Sequence, residues 1–164
     1  MPRPPRIQAG TLSLVPLRPA GFAICLIARC NGKGSAFGYF FGSTIEDPSG
    51  PVESNLSLGD ALLVCKLGDH GIHTGKWRPA GRISPWHPAD WPMPLFSRDH
   101  DDPDKIYLTE YTDDLSVIVE RLLTRDEALA HSSLPEEQLG SGIVEVRLSR
   151  LLNSDQVAKQ SGTP

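Results

Sequence analysis

The sequence predicts an α+β domain that is mostly antiparallel β, a meander forming a small barrel-like or strongly twisted sheet, with two C-terminal helices. Three observations predict it. Proline and glycine number 15 each in 164 residues, so turn signals recur too often for a few long helices. Up to Leu123, apolar residues come in short runs of strand length bounded by such signals. Helical start signals and spacing arise only from Thr124 onward.

The elements follow in order. Residues 1–7 read as a flexible Pro-rich lead-in, 8–152 as one globular domain and 153–164 as a fraying tail without apolar periodicity. Leu12 and Leu14 alternate with Thr11, Ser13 and Val15 in a first strand. Phe22 to Ala28 is apolar without alternation, which suggests a central strand covered on both faces. Asn31-Gly32-Lys33-Gly34 is a turn signal, and Phe37–Phe41 a third strand completes an antiparallel meander over 11–42. Residues 46–55 form a loop, and Ala61–Leu67 a short buried strand. Pro79 makes the run from Trp77 to Ile83 an edge or irregular strand. From Ser84 to Pro103 five prolines, with Trp86 and Trp91 among them, predict a long ordered loop pinned by its aromatics. Lys105–Tyr111 and Ser116–Leu122 have strand composition. Thr124, with Glu127 three residues on, has capping-box spacing and begins a helix. Ser141–Leu152 is the second, with Val144, Leu148, Leu151 and Leu152 on an apolar stripe.

Composition narrows the function classes. With 39% hydrophobic and 22% charged residues, the chain is an ordinary soluble globular protein. No apolar run approaches the roughly 20 residues of a membrane span. The basic N-terminus lacks the apolar core of a signal peptide, and three cysteines do not suggest a disulfide framework; cytoplasmic residence follows. Charge is ordered along the chain. Arg3, Arg6, Arg18, Arg29 and Lys33 precede the first acid, Glu46. These five cations lie mostly near turns and read as solvated, and a net charge of −4 argues against nucleic-acid binding.

No set of residues converges on catalysis. His70 and His73 lie beside Asp69 in a Gly-rich turn, where no regular element directs them and no ligand spacing supports a metal. They read as surface or packing histidines. On one uninterrupted strand Cys25 and Cys30 would face opposite sides, and Cys65 reads as core. Gly42-Ser43 and Gly140-Ser141-Gly142 miss the nucleophile-elbow pattern, and Gly32-Lys33-Gly34-Ser35 has P-loop letters without P-loop spacing. No catalytic, cofactor-binding or metal-binding residue is therefore assigned.

The strongest local feature is residues 98–114. Seven acids (Asp99, Asp101, Asp102, Asp104, Glu110, Asp113, Asp114) stand against Arg98 and Lys105, a net of −5 where the whole chain is −4. Such a window is either a solvated loop or a surface that steers a basic partner. Tyr107 and Tyr111 lie among the acids, and Tyr is enriched in interface cores. The segment lacks the glycine and distal glutamate of an EF-hand calcium loop. Partner binding is accordingly assigned to Asp99, Asp101, Asp102, Asp104, Tyr107, Glu110 and Tyr111.

The motif order resembles the immunity protein 26 family, small bacterial proteins that neutralise a cognate toxin in polymorphic-toxin systems. It is carried by Gly10–Leu17, Gly21–Ile27, Leu62–Cys65, Gly75-Lys76-Trp77-Arg78-Pro79-Ala80-Gly81 and Pro94-Leu95-Phe96, across about residues 8–125. Where the family often has an aromatic-Gly-Arg continuation, this chain reads Ala23-Ile24-Cys25. The resemblance implies inhibition of a protein toxin by direct binding, with no catalytic residues to carry over; the acidic window would face a basic surface of the kind a nuclease cleft presents. Two other readings compete with it. One is a small hydrolase using His70, His73 or His100 with nearby aspartates. The other is a ligand-binding β domain with Trp77, Trp86 and Trp91 lining one cavity.

Overall fold

A computed structural model describes residues 6–161 except 48, 50, 51, 53 and 54, with the backbone alone for 155–161. Most of the lead-in, part of the 46–55 loop and the last three residues therefore lie outside the described residues.

The α+β, mostly antiparallel class holds, but the described strands form two open sheets instead of one small barrel-like or strongly twisted sheet. The larger has six strands: β1 (Thr11–Pro16), β2 (Phe22–Cys30), β3 (Ser35–Ile45), β4 (Ala61–Gly68), β5 (Arg78–Arg82) and β10 (Gln138–Leu139), in the order β10-β4-β3-β2-β1-β5. The smaller orders β6 (Leu95–Asp99), β7 (Lys105–Tyr111), β8 (Val117–Thr124) and β9 (Ser133–Pro135) as β8-β7-β6-β9. The helices are the single turns α1 (His70–His73) and α2 (Arg125–Ala128), and the long α3 (Ser141–Ser161).

Hydrophobicity decides the strand order. β2 and β3, the most continuously apolar runs, occupy the centre of the larger sheet, where both of their faces are covered. Ala23, Cys25, Ile27, Ala36 and Phe40 face one core, closed by Trp77, Ile72 of α1, and Val144, Leu148 and Leu152 of α3. Leu26, Ala28, Phe37, Tyr39 and Phe41 face a second core, closed by Trp91 and by Phe96 of the smaller sheet. Edge-to-face contacts fill it: Phe37–Phe96 at 6.0 Å, Tyr39–Trp91 at 5.3 Å and Phe41–Trp91 at 5.9 Å between ring centroids. The result is three layers: helix, larger sheet, smaller sheet.

The turn after β2 forms as its residues dictate. The Asn31 Oδ1 accepts from the backbone N–H groups of Lys33 (2.8 Å) and Ser35 (3.1 Å), and Gly34 supplies a φ of 102°. Gly71 answers a packing demand instead. A Cβ there would sit 2.8 Å from the Trp77 Nε1 and 2.9 Å from the Ser141 Cβ, so α1 can approach α3 only without one.

Several expectations are corrected. The Pro/Trp segment is not all loop, because β6 lies inside it. The helix begun at Thr124 has its full capping box but ends after one turn. α3 runs through the residues expected to fray, to Ser161, and its Leu151 turns outward. A register shift between Ile27 and Arg29 resets the alternation of β2, so Cys30 packs beside the same core as Cys25.

Candidate partner-binding surface

The acidic window is the β6–β7 hairpin with the turn into β8. Asp99 ends β6, Asp101, Asp102 and Asp104 form the tip, and Glu110 and Tyr111 end β7. Extended backbone separates the two groups. At about 3.3 Å per residue, Glu110 stands about 20 Å along the strand from Asp104, beyond the Debye length of about 8 Å at physiological salt. The seven nominated residues are therefore two patches, not one.

The tip carries the charge. Asp99 is ion-paired to Arg125 at 2.7 Å, and Asp102 to Lys105 at 3.4 Å. Asp101, Asp104 and Glu110 have no salt bridge among the described residues. The Asp102 Oδ1 accepts the Asp104 backbone N–H at 3.0 Å, which holds the Asp102 carboxyl below the usual carboxylate range, with Lys105 adding to the effect. A carboxyl held low in this way keeps its charge at neutral pH, and Asp101 and Asp104 beside it are exposed, the setting for long-range attraction of a cation.

The two tyrosines differ. Tyr107 is half-buried, its ring stacked by the Arg98 guanidinium at 4.0 Å and tilted against His100 at 5.2 Å. Tyr111 faces the inter-sheet core. Its hydroxyl donates to the Glu136 Oε1 at 2.6 Å and accepts from the Lys66 Nζ at 3.0 Å, and that ammonium lies 4.3 Å from the Tyr111 ring centroid and 5.0 Å from that of Phe96. Burial, then the neighbouring Glu136 carboxylate, push the Tyr111 phenol up. Lys66 and Glu136 also pair directly and are both largely buried. No local sequence signal marks this trio, because three distant segments supply it.

The other nominated groups do not converge. His70 and His73 are exposed on α1, beside the larger sheet, whereas His100 sits in the tip of the smaller one, its Nδ1 accepting the Asp102 N–H at 2.9 Å. Trp77 and Trp91 are buried on opposite faces of the larger sheet, so the three tryptophans do not line one cavity. Trp86, partly buried, borders an open cleft of about 410 Å³ with Arg29, Cys30 and Asp113. Arg29 is itself buried. It pairs with Asp113 of the β7–β8 turn and donates to the carbonyls of Ala28 (2.8 Å) and Pro88 (3.2 Å).

Sequence reasoning placed a strand at Ser116–Leu122 without its environment. As β8 it pairs, among the described residues, with β7 alone, and Val117, Ile118, Val119 and Leu122 are exposed. A lone apolar run looks the same in a core strand and in an edge strand, so no local signal could distinguish them.

The family model described as Immunity protein 26 matches residues 8–105, more than half of the chain. The match takes in β1 to β6 and the acidic tip, and ends where β7 begins. No curated protein and no solved structure matches the chain.

Proposed function

Because the chain belongs to the immunity protein 26 family, we propose that it acts in the cytoplasm by binding a cognate protein toxin and occluding the toxin's basic working surface. Membership in the family implies the immunity role; the acidic hairpin tip supports the manner of binding. A cleft that handles nucleic acid presents cations, and a nuclease is the toxin class that such a tip suits best. Charge brings the two together and apolar and aromatic contacts hold them, so the acids govern the association rate more than the lifetime of the complex.

The observation that carries the mode of binding is the tip itself: Asp101 and Asp104 exposed and, among the described residues, without ion pairs, beside an Asp102 carboxyl held low. The test uses a candidate toxin domain, sought first in the reading frame next to the one that encodes this chain. Replacing Asp101, Asp102 and Asp104 by Lys should slow association on the order of tenfold or more at low salt, with the difference shrinking as salt rises. Association rates equal to wild type at low ionic strength would sink the charge-steering reading. Failure of co-expressed wild-type chain to rescue toxin-producing cells would sink toxin neutralisation altogether.

A further inference from the structure

Two open sheets have four edges, and three of them are blunted. β5 has five residues and includes Pro79, β9 has three and ends in Pro135, and β10 has two. Proline removes a ladder donor, and very short strands offer little template. The fourth edge, β8, has none of these defences. It runs for eight residues with no proline and no lysine, and it carries Val117, Ile118, Val119, Leu122 and Leu123. Val117 and Ile118 are 55% and 56% exposed. The backbone groups on its outer side, in alternate residues, have no neighbouring strand among the described residues.

The surroundings restrict what would cover this edge. Residues 98–127, which hold β7, β8 and the turns at their ends, carry ten acids against four bases, a net of −6. A covering strand of complementary chemistry is extended, aliphatic and basic. A second copy of this chain is none the better for being at hand. Twofold antiparallel pairing sets one residue opposite itself, so centring on Glu120 or Arg121 opposes like charges, and centring on Val119 or Leu122 sets neither charge against its opposite. Every register would also bring two −6 hairpins together.

We propose that β8 takes an extended, basic and aliphatic segment of the partner protein as a fifth strand of the smaller sheet. This rests on the reading that the chain binds a protein toxin, and it assigns the contact to a strand beyond the matched residues 8–105. Main-chain pairing would give the hold, the aliphatic side chains the register, and the acids the direction of approach.

The experiment uses the full chain and a capped ten-residue peptide of alternating Lys and Val, followed by backbone amide hydrogen exchange. With the peptide in excess, outward-facing β8 amides should exchange at least tenfold more slowly. A Glu–Val peptide, or a Lys–Val peptide with alternate backbone nitrogens methylated, should have no such effect. Ile118→Ser with Leu122→Ser preserves the charge and should weaken peptide binding tenfold or more. Of Leu122→Pro and Leu123→Pro, the one whose N–H faces outward should fold normally and lose the protection. Equal protection by the Glu–Val or methylated peptide, or protection elsewhere but not at β8, would overturn the proposal. So would concentration-dependent protection of β8 without peptide, which would assign the edge to a second copy. With the toxin domain, full rescue by the double-serine variant removes the edge proposal and leaves toxin neutralisation standing; β8 protection by the peptide without any rescue by wild type does the reverse.

Discussion

Among single residues, the polar groups inside the core are the most consequential. Glu145 of α3 is buried, accepting from the Trp77 Nε1 at 3.0 Å and the Lys76 Nζ at 2.7 Å. Ser13 is buried too, but its hydroxyl has no partner among the described residues. The two should respond oppositely to alanine. Glu145→Ala strands the indole N–H and should cost about 2 kcal/mol in urea unfolding, whereas Ser13→Ala should be neutral or slightly stabilising. Equal losses at both positions would contradict this account. The cysteines separate in the same manner. Burial pushes the Cys65 thiol up to about 12 and the Cys25 thiol well above its ordinary value, while Cys30 is half-exposed and its thiol raised less. Under native conditions at pH 8, mass spectrometry after brief iodoacetamide treatment should find the label first on Cys30.

For the elements, the smaller sheet shows how far sequence can be read. Central strands β2 and β3 are legible because a run apolar on both faces has few other uses. β6 is not, since Pro92 and Pro94 directly before it disguise a strand created by pairing with β7. β9 and β10 are shorter still and exist only because the edges of β6 and β4 were available. The Thr124 capping box was readable and real, yet α2 stops after one turn. Leu129 beyond it is 83% exposed, so nothing is buried to offset the cost of further helix. The turns of this sheet also set its acid limit. Hydrogen bonds from the Asp104 N–H to Asp102, from Thr112 and Ser116 to Asp114, and from the Thr124 N–H to Glu127 hold all three carboxyls below their ordinary values. Each binds its proton less readily folded than unfolded. Their stabilisation is thus complete above the ordinary range of about 4 and is lost as pH falls through the lowered values. Amide exchange in these turns should accelerate, relative to the larger sheet, below about pH 4. Asp102→Asn should remove part of that dependence at the tip; an unchanged profile would refute the assignment.

The whole molecule is joined across its second core by charge as well as by aromatics. Lys66 of β4, Tyr111 of β7 and Glu136 after β9 meet between the sheets, with Lys66 and Glu136 largely buried. Removing one partner leaves the other charge buried. Lys66→Ala should therefore cost about 3 kcal/mol, and Lys66→Met combined with Glu136→Leu should recover most of it. A double variant as unstable as the single one would show that the charges are needed for more than each other. The acidic window itself was fully legible, since charge is read directly from composition. Its division into two patches was not, because that depends on the extended course of β7. Nor was the inward turn of Tyr111, which needed Lys66 and Glu136 from elsewhere in the chain.

Arg29 gives these arrangements an unequal tolerance to change. The β7–β8 turn is tethered to a buried guanidinium through Asp113, so altering that position would leave a cation stranded beneath the Pro/Trp segment. The β6–β7 tip is held by exposed, solvent-screened pairs that add little to stability. Substitutions can therefore accumulate at residues 100–104 with little penalty to folding, while the turn that launches β8 stays fixed. The five residues of the tip can thus be rewritten on a mount that selection for stability keeps in place.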